Sequence, residues 1–248
     1  MSRLVIDIGG PGLGDSMSYR TLPKILTEQG HEVWLREPRL GWNNAEIRRL
    51  LWDRDPDVAG FTTDLPSTFK RYGDHEPRWY PSWTLGMESI YGCKPTNHWP
   101  SLPWEPKLNY EWEGKVFADV RSSSQEFPRE VIEEYVAKVG WQLGFDPASV
   151  VVLESAYSAP LGRDALMNNP RLFISGLEEM ASAIASCAIM LTVESGTQPF
   201  ASAVKGARAT PLVCSLFTVA QHSDAIFVFD NVIYKTTGFQ QRDWHDYA

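Results

Sequence analysis

The sequence predicts an α/β protein of two lobes, each a parallel sheet flanked by helices. Three observations carry that prediction. The chain has 248 residues, room for two compact units of about 100–120 residues each. Strand-like apolar runs alternate with helix-period segments along both halves. One glycine-bearing corner in each half, Gly9–Gly14 and Gly196, stands between such a strand and such a helix. The expected division is residues 1–112 and 113–248.

In the first half, Leu4–Ile8 is a short β-branched run closed by Gly9-Gly10-Pro11-Gly12, a buried strand leading into a tight turn. From Asp15 to Gln29 the apolar positions Met17, Leu22, Ile25 and Leu26 recur at helical spacing, and Gly30 supplies a stop. His31–Leu35 reads as a second strand, which completes an opening βαβ unit. Asn44–Trp52 is expected to be a helix and Val58–Phe61 a short strand. From Pro77 to Trp112 the composition changes. Trp79, Tyr80, Trp83, Tyr91, Trp99, Trp104, Tyr110 and Trp112 crowd among Pro81, Pro95, Pro100, Pro103 and Pro106. Those prolines argue against long regular elements. The aromatics argue against a solvated linker, so this stretch is expected to be an ordered, irregular connection.

In the second half, Val116–Val120 is a strand and Arg121–Ser124 a polar turn. Pro128–Leu143 is an amphipathic helix carrying Val131, Ile132, Tyr135, Val136 and Val139, with Glu130, Glu133 and Glu134 towards its start, where the helix dipole favours acids. Val150–Leu153 and Leu172–Ile174 are strands, Leu177–Cys187 a helix and Ala188–Val193 a strand. Glu194-Ser195-Gly196-Thr197 is a turn, Pro199–Lys205 a helix and Pro211–Leu216 a further strand.

With 43% hydrophobic and 22% charged residues the composition is that of an ordinary globular protein. The net charge of −8 argues against nucleic acid as a partner without excluding it. Cys93, Cys187 and Cys214 are far apart, and Cys187 and Cys214 sit in apolar runs, which points to free thiols in a reducing compartment. His31, His75, His98, His222 and His245 lack metal-ligand spacing, so no metal is expected. No stretch approaches the roughly 20 apolar residues of a membrane span, and no leader is evident, so a cytoplasmic protein is expected.

Three corners carry candidate chemistry. At the first, Gly12 and Gly14 let backbone approach a ligand, and the helix after them offers unpaired N–H groups to an anion. Asp15 at that helix start reads either as a cap or as a carboxylate that takes a proton from an attacking hydroxyl. At the second, Glu194 ends an apolar strand where open α/β sheets bind ligands. Ser195, Gly196, Thr197 and Gln198 then open a helix packed through the small Ala201, Ser202 and Ala203, either as a phosphate cradle or as a plain β–α turn. At the third, Arg121 with Ser122, Ser123 and Ser124 suits phosphate recognition, or is a solvated turn.

The stretch LVIDIGGPGLGDSMSYRTLPKIL, Leu4–Leu26, resembles the opening of the heptosyltransferase-like glycosyltransferases: a strand, Gly-x-Gly-Asp, then a helix containing Leu-Pro. The stretch ISGLEEMASAIASCAIMLTVESGTQPFASAV, Ile174–Val204, is similar to their second-lobe signature of Ala-rich helix, strand, acid–Ser/Thr–Gly and a second Ala-rich helix. The resemblance implies a compact GT-B fold, two Rossmann-like lobes facing a cleft. It also implies metal-independent, cofactor-free transfer of a sugar from a nucleotide-sugar donor to a glycan or other hydroxyl acceptor. Under it Asp15 is the base and Arg121 the stabiliser of the leaving diphosphate. Gly12, Gly14, Ser122, Ser123, Glu194, Ser195, Gly196, Thr197 and Gln198 hold the donor. The chain departs from that family at Gly10-Pro11, which enlarge the first turn, at Glu194 where an Asp is usual, and at Gln198-Pro199 where a His is usual.

Two rival readings remain. A non-catalytic module that kept the cleft and lost turnover is consistent with those departures. An S-adenosylmethionine-dependent methyltransferase is suggested by Val5–Gly12, but it needs an acidic end to the second strand, where Glu37 followed by Pro38 is the best available substitute.

Overall fold

Parallel pairing organises every strand of the computed structural model, which describes residues 2–8, 12–36, 45–64, 83–94, 98–122, 127–155, 164–217 and 229–236. In the first half β1 (Ser2–Ile6), β2 (His31–Arg36) and β3 (Gly60–Thr62) form a three-stranded sheet in that order. Leu4 lies opposite Val33 and Val5 opposite Trp34, so β-branched and aromatic residues line both strands, as parallel pairing favours.

The single helix expected over Asp15–Gln29 is two, α1 (Leu13–Ser18) and α2 (Leu22–Glu28). Pro23 sits in the first turn of α2. It has no N–H to continue a preceding helix and is pre-set to begin a new one, so the chain turns at Tyr19–Thr21. The helix expected over 44–52 is a short α3 (Ala45–Ile47) continued by a π-helical segment, Arg48–Trp52, whose Leu50, Leu51 and Trp52 are buried. Among its described residues the connection holds a regular helix that composition concealed, α4 (Trp83–Ile90).

The second half is a six-stranded sheet of β4 (Val116–Asp119), β5 (Val151–Ser155), β6 (Arg171–Ile174), β7 (Ile189–Val193), β8 (Leu212–Phe217) and β9 (Val232–Thr236). Strand β9 was not anticipated. The spatial order is β6-β5-β4-β7-β8-β9, all parallel, the doubly wound arrangement that reverses direction between its first and fourth strands. Helix α5 (Arg129–Leu143) buries Ile132, Tyr135, Val136 and Val139 at 3- and 4-residue spacing. It ends at Gly144, whose φ of 78° suits a residue without a Cβ. The Tyr135 hydroxyl donates to the Cys214 carbonyl at 2.7 Å, which ties α5 to β8.

Helices α6 (Leu177–Ser186) and α7 (Thr197–Lys205) belong to the opposite face. There Leu177, Met180, Ile184, Phe200 and Val204 share one continuous core with Ile6, Leu22, Leu35 and Trp52 of the first half. A separate core lies under α5. The two sheets therefore meet through α6 and α7. Two polar ties accompany this packing: Glu46 Oε1 accepts from Leu177 N–H at 3.0 Å, and Arg54 Nη1 lies 3.0 Å from Glu178 Oε1.

Candidate functional site

The reversal point between β4 and β7 is where a doubly wound sheet leaves a crevice at its carboxyl edge. Asp119, Arg121 and Ser122 leave β4 there, and Glu194, Ser195, Gly196 and Thr197 leave β7 beside them. Ser122 Oγ donates to the Glu194 carbonyl at 3.3 Å and holds the two exits together.

The start of α1 from the first half meets the start of α7. A Cβ placed on Gly196 would lie 2.8 Å from the Gly14 backbone nitrogen and 3.3 Å from Leu13 Cβ. Only glycine permits that approach, so two helix N-termini, each with amides its own helix leaves unpaired, converge on one point. Neither start has a side-chain cap of its own, since Gly12 and Gly196 occupy the cap positions.

Asp15 is half-buried and reaches back to accept from Gly12 N–H at 3.0 Å, the reciprocal half of a capping box. Burial pushes its carboxyl above the usual carboxylate range, against the lowering effect of that amide. A carboxylate so placed both closes the helix end and is tuned towards proton acceptance.

Other candidates take up different positions. Ser195 Oγ is buried with no hydrogen-bond partner among the described residues. Thr197 turns away from the helix-start junction, and its hydroxyl donates to Asp119 Oδ2 at 2.6 Å. Gln198 is buried, with Nε2 donating to the Tyr234 hydroxyl at 2.9 Å. Glu194 is 2% exposed. Arg121 is 8% exposed, donates from Nη2 to the Leu153 carbonyl, and holds Nε 3.6 Å from Asp119 Oδ1. Ser123 and Ser124, with Gly9–Pro11, Glu37 and His222, lie outside the described residues.

Sequence reasoning missed several groups. Asp119 is buried at the end of β4, and burial pushes its carboxyl up against the lowering effects of Thr197 and Arg121. Its signal was a lone acid inside an apolar strand. At the carboxyl ends of β1 and β2, Arg36 Nη1 donates to Asp7 Oδ2 at 2.7 Å, and Asp7 N–H donates to the Tyr91 hydroxyl at 3.1 Å. Their position at the carboxyl ends of parallel strands was the available clue.

The aromatic stretch mostly packs. Trp112 meets Phe117 edge-on and Trp99 joins the larger core. Trp104, Tyr110 and Trp112 also line a groove of about 790 Å³ with Arg54 and Glu178. Trp79 and Tyr80 lie outside the described residues.

Together the two parallel sheets, the doubly wound order and the facing helix starts define a GT-B-like α/β fold. Comparison with solved structures gives that class its members: the fold is that of the heptosyltransferase-like glycosyltransferases. The iron-containing dodecameric glycosyltransferase TibC of enterotoxigenic Escherichia coli superposes with a TM-score of 0.63 at 13% identity over 96% of this chain and 65% of TibC. The family 9 glycosyltransferase of Veillonella parvula gives 0.60 at 10% identity over 95% of this chain and 86% of its own. Heptosyltransferase II of E. coli gives 0.50 at 15% identity over 96% and 90%. This chain thus spans just under two thirds of TibC. No protein-family model matches the sequence, and no curated protein matches it either.

TibC corrects one expectation. A protein of this fold is described as iron-containing, so the resemblance does not imply a metal-free, cofactor-free protein. The described residues of this chain do not fit an iron centre: no group of three or more His, Cys, Asp and Glu among them could hold a metal ion, and all three cysteines are buried singly. No helix among the described residues is long and apolar enough to cross a membrane.

Proposed function

We propose that the chain is a glycosyltransferase that moves a sugar from a nucleotide-sugar donor to an acceptor hydroxyl. The observation that carries the reading is the meeting of the α1 and α7 N-termini at the reversal point, with Asp15 at the junction. Two helix ends and the Ser195 hydroxyl make a site for a diphosphate. Glu194 serves the ribose or sugar, Ser122 and Ser123 add donors on the phosphate side, and Gly12 and Gly14 give backbone access. TibC in complex with ADP-D-β-D-heptose has this fold, which makes an adenine-nucleotide heptose the first donor to try. In the same proposal residues 1–112 carry the acceptor side and 113–248 the donor side, the protein works in the cytoplasm, and the acceptor is a glycan or another hydroxyl compound.

In the reaction the acceptor oxygen attacks the anomeric carbon as its proton passes to Asp15. The bond from that carbon to the donor phosphate breaks, and the negative charge left on the diphosphate is met by the α7 amides. In this proposal Arg121 also stabilises the departing diphosphate.

The test is calorimetry with ADP and ADP-heptose, followed by donor consumption in the wild type and in Asp15→Asn. Binding in both proteins, with turnover only in the wild type, supports the proposal. Failure of the wild type to bind any nucleotide in a broad panel overturns it, and S-adenosylmethionine binding in its place would favour a methyltransferase. A second reading, a binding module without turnover, is favoured by the inward guanidinium of Arg121. Binding without turnover against many acceptors would establish it.

A further inference from the structure

We propose that Asp119 is a positioning residue: through Thr197 it fixes the first turn of α7, and so sets the direction of the amides and of the Ser195 hydroxyl that receive the anion. This inference rests on the nucleotide-sugar reading for its ligand, while its mechanical part stands on geometry alone.

Thr197 is the first residue of α7, and the cap position before it is Gly196, which has no side chain. The helix start is therefore tied sideways, from Thr197 Oγ1 to Asp119 Oδ2 at 2.6 Å. Asp119 is in turn braced by Arg121, whose backbone N–H donates to Oδ1 at 3.4 Å and whose Nε lies 3.6 Å away. The Arg121 guanidinium ends on the Leu153 carbonyl of β5. One chain of contacts thus runs β5–Arg121–Asp119–Thr197–α7 across the carboxyl edge of the sheet. All three side chains in it are buried, at 8%, 6% and 7% exposure.

A buried carboxylate is costly to keep. Holding a nine-residue helix to its sheet does not require one, because Phe200, Ala201 and Val204 already pack there. Rotation of the first turn, where the anion-facing groups lie, is held by two polar ties, Thr197 to Asp119 and Gln198 Nε2 to the Tyr234 hydroxyl at 2.9 Å. Of the two, the bond from Thr197 is the one at the helix's first residue. The same arrangement explains why the Thr197 hydroxyl is absent from the anion side and why Ser195 is the hydroxyl left over.

The test uses the full chain and the variants Thr197→Val, Thr197→Ser and Asp119→Asn, with two readouts: ADP affinity by calorimetry, and amide hydrogen exchange of residues 195–198 in the free protein. Thr197→Val should weaken ADP binding and speed exchange there, each by about tenfold, the loss expected when a hydrogen bond to a charged group goes. The melting temperature should fall by no more than a few degrees, and Thr197→Ser should restore both readouts. Adding Thr197→Val to Asp119→Asn should leave exchange no faster than in Thr197→Val alone, because one link is broken in both. Wild-type affinity and exchange in Thr197→Val overturn the inference, as does a melting-temperature loss with no local change. Should the wild type bind no ADP, the nucleotide reading fails by itself, and the exchange data still decide whether Asp119 holds the helix start. Should Asp119→Asn not fold, the two Thr197 variants decide.

Discussion

Substituting Gly196 by alanine probes the contact between the two halves directly. Gly196 has φ −60° and ψ −23°, a conformation alanine adopts freely, so the backbone itself gains no strain and the whole effect comes from one methyl group. That carbon would stand 2.8 Å from the Gly14 nitrogen, about 0.6 Å inside the 3.4 Å limit of ordinary contact. The obstacle is backbone and cannot swing away as a side chain would. Overpacking of this kind costs about 1–3 kcal/mol. If the strain is relieved by parting the starts of α1 and α7, the fold survives and the anion site widens. The full cost then appears in ligand affinity as a roughly 5- to 150-fold weaker ADP complex. If the strain stays in place, the melting temperature falls by about 2–4 °C for each kcal/mol. Calorimetry and thermal melting on the same preparation separate the two routes. Unchanged affinity together with an unchanged melting temperature would refute the reasoning, since Gly196 and Gly14 could not then be in contact in solution.

Three further outcomes are expected. If Asp15 is the base, it acts ionised, and burial has raised its pKa above 3.8. The acid limb of kcat/KM should therefore fall through a midpoint above that value as pH drops, and Asp15→Asn should abolish turnover across the range. Asp55 lies against Arg20 in a buried ion pair, and Arg20 also donates from Nε to the Ser101 carbonyl at 3.0 Å. Asp55→Ala should destabilise the protein by about 3–5 kcal/mol in denaturant titration, because it leaves the Arg20 charge buried without its counter-ion; a loss under 1 kcal/mol would show that water reaches Arg20. Burial pushes the thiols of Cys93, Cys187 and Cys214 up to about 11, 12 and 11. A thiol reagent at pH 8 should label the native protein far more slowly than the unfolded chain, and rapid labelling of Cys187 would contradict its burial.

The parts of the fold legible in the sequence were those written in local pattern. β-Branched runs gave β1, β2, β4, β5, β7 and β8, and the 3- and 4-residue spacing of Ile132, Tyr135, Val136 and Val139 gave α5. The two glycine corners stood out because backbone needs are also local. Helix α4 was obscured by the prolines and aromatics around it, and the split of α1 from α2 was foreshadowed only by Pro23. What the sequence did not reveal was direction. Arg121, Thr197 and Gln198 sit on the expected turns, yet each points to a partner supplied by another strand: Leu153 on β5, Asp119 on β4 and Tyr234 on β9. Such choices depend on neighbours 32 to 78 residues away, and no window along the chain contains them.

Glu46 bears on how the molecule is assembled. It comes from the first half but supplies the acceptor for Leu177 N–H at the head of α6, where Gly176 has no side chain to offer. Helix α6 is thus finished only when both halves are present. A fragment beginning at residue 113 would have to leave that end frayed or recruit water to it, so refolding of α6 in the intact chain should lag until the first sheet has docked.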